Sequence, residues 1–238
     1  MQQVPLKSFI GRMTENVLVT GGSGGIGSAV CRQLAKAGYH PVIGYAKGKS
    51  VAEKMALETG GTPLALDLAL PDSITAATDE LIASERDIAG VVLAASPPPC
   101  IAPVFRQPET EFENHWKITV RGTRQILDGV IRQCMRPRKQ GWVVAILSDA
   151  MGQDSDAAKS MGAYIVAKYG LLGLLKVLGA EYSWLDVHSV FPGYTETEML
   201  TVFDDRFLDQ LRASSPAGRF ATPDEVASDI LARIGTPR

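Results

Sequence analysis

A chain of 238 residues that is 45% hydrophobic and 21% charged is long enough to bury one large core and is not composed like a disordered segment. A formal net charge of -2 supplies no broad positive field, which excludes capture of nucleic acid by general electrostatics. Cys31, Cys100 and Cys134 are odd in number and lack CxxC spacing, so neither a disulfide framework nor a metal site is expected and a reducing cytoplasm fits best. No stretch reads as a signal peptide or a membrane span.

In chain order, residues 1–13 read as a loose leader and 14–238 as one domain. Short apolar runs predict strands at Asn16 to Thr20, Pro41 to Tyr45, Pro63 to Leu66, Ile88 to Ala95, Trp142 to Leu147 and Val187 to Phe191. Helical patterns separate them, which implies right-handed βαβ units and a parallel sheet. Because the runs are apolar at every position, the sheet should be covered on both faces. The longest helix lies between the fourth and fifth strands, with Phe112, Trp116, Val120, Leu127, Ile131 and Met135 predicted to share a face. Gly122 and Gly129 interrupt it and suggest a close helix contact, with self-association through this helix. The basic cluster Arg132, Arg136, Arg138 and Lys139 has two readings, a solvated helix end or a dock for an acidic partner such as a carrier protein.

Three segments carry chemistry. Thr20-Gly21-Gly22-Ser23-Gly24-Gly25-Ile26-Gly27 stands between the first strand and first helix, where glycines let backbone approach a pyrophosphate at a helix N-terminus. Tyr164 and Lys168 are four residues apart on a helix and share a face. A tyrosine hydroxyl, with an unperturbed pKa of about 10, needs a neighbouring positive charge for acid/base work near neutrality. Ser148 ends the fifth strand.

The TGxxxGxG and YxxxK patterns resemble the short-chain dehydrogenase/reductase family, and the resemblance runs from about Glu15 to Ala232. Gly218 to Ala227 is similar to the GRxxxPEEVA of bacterial 3-oxoacyl-carrier-protein reductases. The resemblance implies an α/β, three-layer, doubly wound Rossmann fold, with Ser148, Tyr164, Lys168 and Thr119 in the catalytic set. It implies cofactor contacts from Gly21, Ser23, Gly25, Ile26, Gly27, Tyr45 and Lys47, then Asp67, Leu68, Ala94, Ala95 and Ser96. Further contacts would come from Tyr164, Lys168, Pro192, Gly193, Thr195 and Thr197. The family's acid after the second strand, which holds the ribose of NAD, is absent; Lys47 can pair with a 2′-phosphate, which favours NADP(H) over NAD(H). Asp67 has a second reading as a turn cap. Leu200 to Ser215 corresponds to the family's lid over the substrate.

Departures from the family pattern are informative. Leu93-Ala94-Ala95-Ser96 replaces NNAG, Thr119 replaces the helix Asn that holds a relay water, and the terminal strand pattern is lacking. Six strands are therefore expected, with a homodimer on the long helices around Gly122 and Tyr164 in preference to a tetramer. The Ser148 to Tyr164 segment is longer than usual, which leaves Ser155 and Ser160 as minor rivals to Ser148. The expected function is NADPH-dependent reduction of a small-molecule ketone or 3-oxoacyl thioester, with a carrier protein as a possible partner. Two alternatives are an alcohol, polyol or secondary-pathway ketone dehydrogenase, and a catalytically weakened nucleotide-binding sensor.

Overall fold

A computed structural model describes residues 15–84, 87–153, 155–215 and 217–234; the leader expected at residues 1–13 lies outside them. Six parallel strands form one sheet: β1 Asn16–Thr20, β2 His40–Tyr45, β3 Thr62–Ala65, β4 Ile88–Leu93, β5 Gly141–Ile146 and β6 Leu185–Val190. Their order is β3-β2-β1-β4-β5-β6, so the chain reverses its direction of travel across the sheet between β1 and β4. The C-terminal ends of these two strands splay their following loops apart, which makes a crevice there.

Helices cover both faces. Val17, Val19, Ile43, Val92 and Val144 point to one side, packed with α1 (Gly25–Lys36), α2 (Lys49–Thr59) and α8 (Pro223–Ile234). Leu18, Val42, Val91, Val143 and Ala145 point to the other. There they meet α3 (Pro71–Ala83), α5 (Thr123–Val130) and α6 (Gly162–Glu181). This period-two division is what fully apolar strands require. The edge strand β6 departs from the expectation: Asp186 is exposed and Val187, His188 and Ser189 are half-buried, because among the described residues one side has no neighbouring strand.

The long helix is not a uniform α-helix. It runs from α4 (Glu109–His115) through a π-helical stretch at Trp116–Gly122 into α5, then through a second π-helical stretch at Ile131–Met135. The extra residue per turn rotates the expected apolar stripe, so Trp116 is 49% exposed while Leu127, Ile131 and Met135 are buried. The close helix contact expected of its two glycines is found at Gly129, while Gly122 meets backbone. A Cβ on Gly122 would overlap the Leu68 carbonyl oxygen, and one on Gly129 would overlap the Thr78 side chain of α3. Both close contacts are internal to the chain.

Among the described residues α6 is, by length and composition, apolar enough to cross a membrane, which the sequence reading overlooked. Its inner face packs Leu171 and Leu175 into the core, as a core helix does. The basic cluster is partly structural. Arg138 pairs with Asp87 and donates to the Ile88 carbonyl at 2.9 Å. That places it at the N-terminal end of β4, at the opposite end of the strands from the crevice.

Candidate active site

The glycine turn leaves β1 at the crevice. Gly21 has φ +64° and its Cα region lies against Ala95, where a Cβ would come within 2.8 Å of backbone; only glycine fits both demands. The turn is held by Gly24 N donating to Gly21 O at 3.0 Å and Gly22 N to Gly44 O at 2.8 Å. It presents Gly24 and Gly25 to solvent at the start of α1, with Ile26 half-buried beside them. A Cβ on Gly25 would fill the cradle, meeting Thr197 Cγ2 at 2.6 Å. Open backbone at a helix N-terminus fits the pyrophosphate of a dinucleotide.

Thr20 solves the problem raised by the missing NNAG. Its buried hydroxyl accepts from Ala94 N at 3.2 Å and Ala95 N at 3.3 Å, tying β1 to the loop after β4. The sequence reading missed Thr20 as a tie, although it stood in the quoted motif. Tyr45 is half-buried and Lys47 exposed at the end of β2. The next residue, Gly48, lies against the Ser23 hydroxyl, so the Lys47 loop adjoins the glycine turn. Asp67 serves its turn: Oδ1 accepts from Ala69 N at 2.8 Å. Leu68 is a core residue.

Ser148, Tyr164 and Lys168 converge on one cleft with Ala94, Pro192 and Thr195. Ser148 caps a short turn, its Oγ accepting from Ala150 N at 3.2 Å. The lengthened loop does not displace it. Ser155 is exposed, and neither it nor Ser160 is among the residues lining the cleft. Gln107 fixes the start of α6: its Oε1 accepts from Ala163 N at 2.8 Å, and its Nε2 donates to the Ala102 carbonyl at 2.9 Å and the Ser160 carbonyl at 3.1 Å. Tyr164 follows immediately and inherits that position.

Lys168 is fully buried and donates to the Ile146 carbonyl at 2.7 Å. Burial lowers its pKa to about 8. Its Nζ stands 5.4 Å from the Tyr164 ring centroid. Burial raises the Tyr164 pKa to about 12; a hydrogen bond with Ser148 pulls it down, while Asp149 and Tyr194 push it further up. The phenol is thus a held acid at neutral pH. Asp149 and Tyr194 were not singled out in the sequence. Asp149 directly follows Ser148, lines the cleft, and has its carboxyl pKa raised by burial.

The Pro192–Thr197 loop closes the cleft. Thr195 is buried and its Oγ1 donates to Gly193 O at 3.0 Å, Thr197 Oγ1 donates to Thr195 O at 3.3 Å, and Thr195 bridges to Ala221. Beyond it lie a short helical turn and α7 (Asp205–Ser214), the segment read as a lid. Met199, Leu200 and Phe203 from that turn line the cleft, and Phe203 stacks on Phe207 at 5.4 Å. Thr222 and Glu225 form a reciprocal cap at the start of α8, with bonds of 2.8 and 3.2 Å, and Arg219 grips the same carboxylate at 2.5 Å. Thr119 is buried, and its hydroxyl reaches no partner among the described residues.

Comparison with known proteins agrees with this geometry. A family profile described as enoyl-(acyl carrier protein) reductase matches residues 21–232. The acetoacetyl-CoA reductase of Acinetobacter sp. (strain RA3849) is 30% identical over 230 residues, covering 90% of this chain and 88% of its own. The 3-oxoacyl-[acyl-carrier-protein] reductase FabG of Aquifex aeolicus (strain VF5) is 29% identical over 227 residues, covering 90% and 87%. In fold, a single-substitution variant of actinorhodin polyketide ketoreductase, solved with NADPH, superimposes with a TM-score of 0.84 at 24% identity, covering 93% of this chain and 90% of its own. With a glycine turn at a helix N-terminus and a Ser, Tyr and Lys gathered at one switch point, and with relatives of this kind over nearly its whole length, the chain is an oxidoreductase that belongs to the short-chain dehydrogenase/reductase family.

Proposed function

We propose that the chain is an NADPH-dependent carbonyl reductase, with 3-oxoacyl thioesters as its first candidate substrates. The observation that carries the reading is the convergence of Ser148, Tyr164 and Lys168 on the cleft beside the glycine turn. The glycine turn and the Ala94–Ser96 loop would hold the dinucleotide, Thr195 and Thr197 its carboxamide end, and Lys47 its 2′-phosphate. Lys47 is exposed and has no ion-pair partner among the described residues, while nearby Lys49 pairs with Glu53 at 3.9 Å. Bound there, the reduced nicotinamide supplies hydride. Ser148 orients the substrate carbonyl by hydrogen bonding, and Tyr164 gives its proton to the oxygen as negative charge develops. Lys168 keeps positive charge behind the Tyr164 ring and offsets the phenolate that remains.

The test is NADPH consumption with a short 3-oxoacyl thioester, repeated with NADH and with Tyr164→Phe. Turnover that prefers NADPH and falls by about 10² or more without the phenol supports the reading, since a positioned acid contributes about 10²–10⁴. No nucleotide binding at all overturns it.

A polar ketone or polyol is the second reading, and Asp149 favours it. A half-buried carboxylate beside Ser148 would accept a hydrogen bond from a hydroxyl near the reacting carbon, which a simple 3-oxoacyl chain lacks. Assays of hydroxyketones against acyl thioesters, with Asp149→Ala, separate the two: loss confined to hydroxyketones selects the second. A carrier protein remains a candidate partner, although not through the Arg138 cluster, which lies at the wrong end of the sheet. Three free thiols suit the reducing cytoplasm proposed for this chain. A homodimer is proposed through the outer face of α6 and the adjoining Trp116.

A further inference from the structure

Two polar side chains of the cleft take no part in the hydride and proton steps. Asp149 directly follows Ser148, Tyr194 follows Gly193, and both line the cleft. Their backbones are pinned. Asp149 N donates to Pro192 O at 3.1 Å, Gly152 N donates to Asp149 O at 2.9 Å, and Ala221 N donates to Tyr194 O at 3.1 Å. The Asp149 carboxylate rests over Gly193, where a Cβ would stand 2.9 Å from Oδ2. The Tyr194 ring is packed by Phe203 and Phe220, with centroids 5.6 and 5.7 Å away. Asp149 pushes the phenol pKa of Tyr194 up, and both residues push up that of Tyr164, so the carboxylate and the two phenols face one space.

The carboxylate also lacks a counter-charge. Its own pKa responds to burial and to the Ala150 N–H, and to no cation among the described residues. Lys168 lines the same cleft, but its ammonium is buried and donates to Ile146 O. The other walls are largely apolar, with Met161, Met199, Leu200 and Phe203. A carboxylate without a counter-charge, flanked by aromatic rings, attracts a cation by its charge and through the ring faces, and it repels an anion. We propose that Asp149, with the rings of Tyr194 and Phe203, is a cation subsite beside the reacting carbonyl, so that the preferred substrate is a ketone carrying an ammonium group a few bonds from that carbonyl. The inference deepens the polar-ketone reading and rests on Ser148 and Tyr164 binding the carbonyl. Free oxo acids, whose carboxylate would meet Asp149, are then poor substrates.

Two probes of one shape separate charge from fit: acetonyltrimethylammonium and methyl neopentyl ketone, in which carbon replaces the nitrogen. In NMR titrations of the whole chain without nucleotide, the parent should bind the cation about tenfold more tightly than the uncharged ketone. Asp149→Asn keeps the size and removes the charge, and should bring the two dissociation constants within about twofold of each other. Tyr194→Leu removes a ring and should narrow the gap by about two- to threefold. In turnover with NADPH, kcat/KM for aminoacetone as its ammonium ion should exceed that for hydroxyacetone, with levulinate below both. Equal binding of the two isosteric probes overturns the inference, as does a cation preference that survives Asp149→Asn. Hydroxyacetone outrunning aminoacetone also overturns it and transfers Asp149 to a substrate hydroxyl. A parent that binds the cation through Asp149 yet reduces no ketone refutes the proposed reduction and leaves the cation subsite standing.

Discussion

Lys168 is where structure and chemistry pull hardest against each other. Its ammonium is buried with one carbonyl as its hydrogen-bond partner, and its pKa is lowered from 10.5 to about 8. A lowered lysine pKa means that the unfolded chain binds the proton more tightly. The penalty on folding is therefore full below pH 8 and fades as pH rises from about 8 to 10.5. Lys168→Met should then raise the melting temperature at pH 7, by relief on the order of 1–3 kcal/mol after the lost bond to Ile146 O is discounted. The gain should shrink when melting is repeated towards pH 10, and a variant less stable at pH 7 refutes the account. Activity should move the other way, with reduction lost in the variant and, in the parent, falling above about pH 8 as the ammonium deprotonates. Tyr164 adds no limb near neutrality, because a phenol held at about 12 keeps its proton throughout. Tyr164 and Lys168 were legible because their four-residue offset on a helix is local, while Ser148 was placed by the family resemblance. The sequence did not show Asp149 or Tyr194, whose effect on Tyr164 comes from burial beside residues distant in the chain.

At the scale of elements, the strands and the existence of the long helix were legible, and the π-helical stretches within it were not. All six strands lie within two residues of their expected starts, because a continuous apolar run bounded by turn residues survives small errors of register. An apolar spacing of three, four and seven cannot reveal a π turn, so the face of the long helix was misjudged at Trp116. Gly122 shows what the misjudgement concealed. In Gly122→Ala the added methyl would overlap Leu68 O, against backbone that follows β3 and borders the expected adenine contacts. Helix propensity alone predicts a gain of about 1 kcal/mol from Gly to Ala, whereas overpacking predicts a loss of about 1–3 kcal/mol. The contact is with backbone in a core position and should win, so urea unfolding should find the variant less stable. A more stable variant would mean that the helix can shift outward at little cost.

Across the whole molecule the doubly wound sheet accounts for the position of the cleft but leaves one face unexplained. Val166, Tyr169, Gly173 and Val177 are placed on α6 at intervals of three and four, their large side chains exposed, and Trp116 lies beside them, its ring tip 2.8 Å from where a Cβ on Gly170 would stand. A continuous apolar stripe on the helix that carries Tyr164 is unfavourable in water. A second copy of this chain would cover it by two-fold pairing, α6 against α6. The small side at Gly173, where a Cβ would meet nothing within 4 Å, lets two such helices approach. Val177→Asp, well along α6 from the catalytic pair, should therefore halve the mass seen in sedimentation while leaving the folded spectrum of each subunit intact. Activity measured at dilutions that part the dimer then tells whether α6 needs its partner to hold Tyr164 in place. A parent that sediments as a monomer at all concentrations removes the dimer, and the stripe would then need another cover.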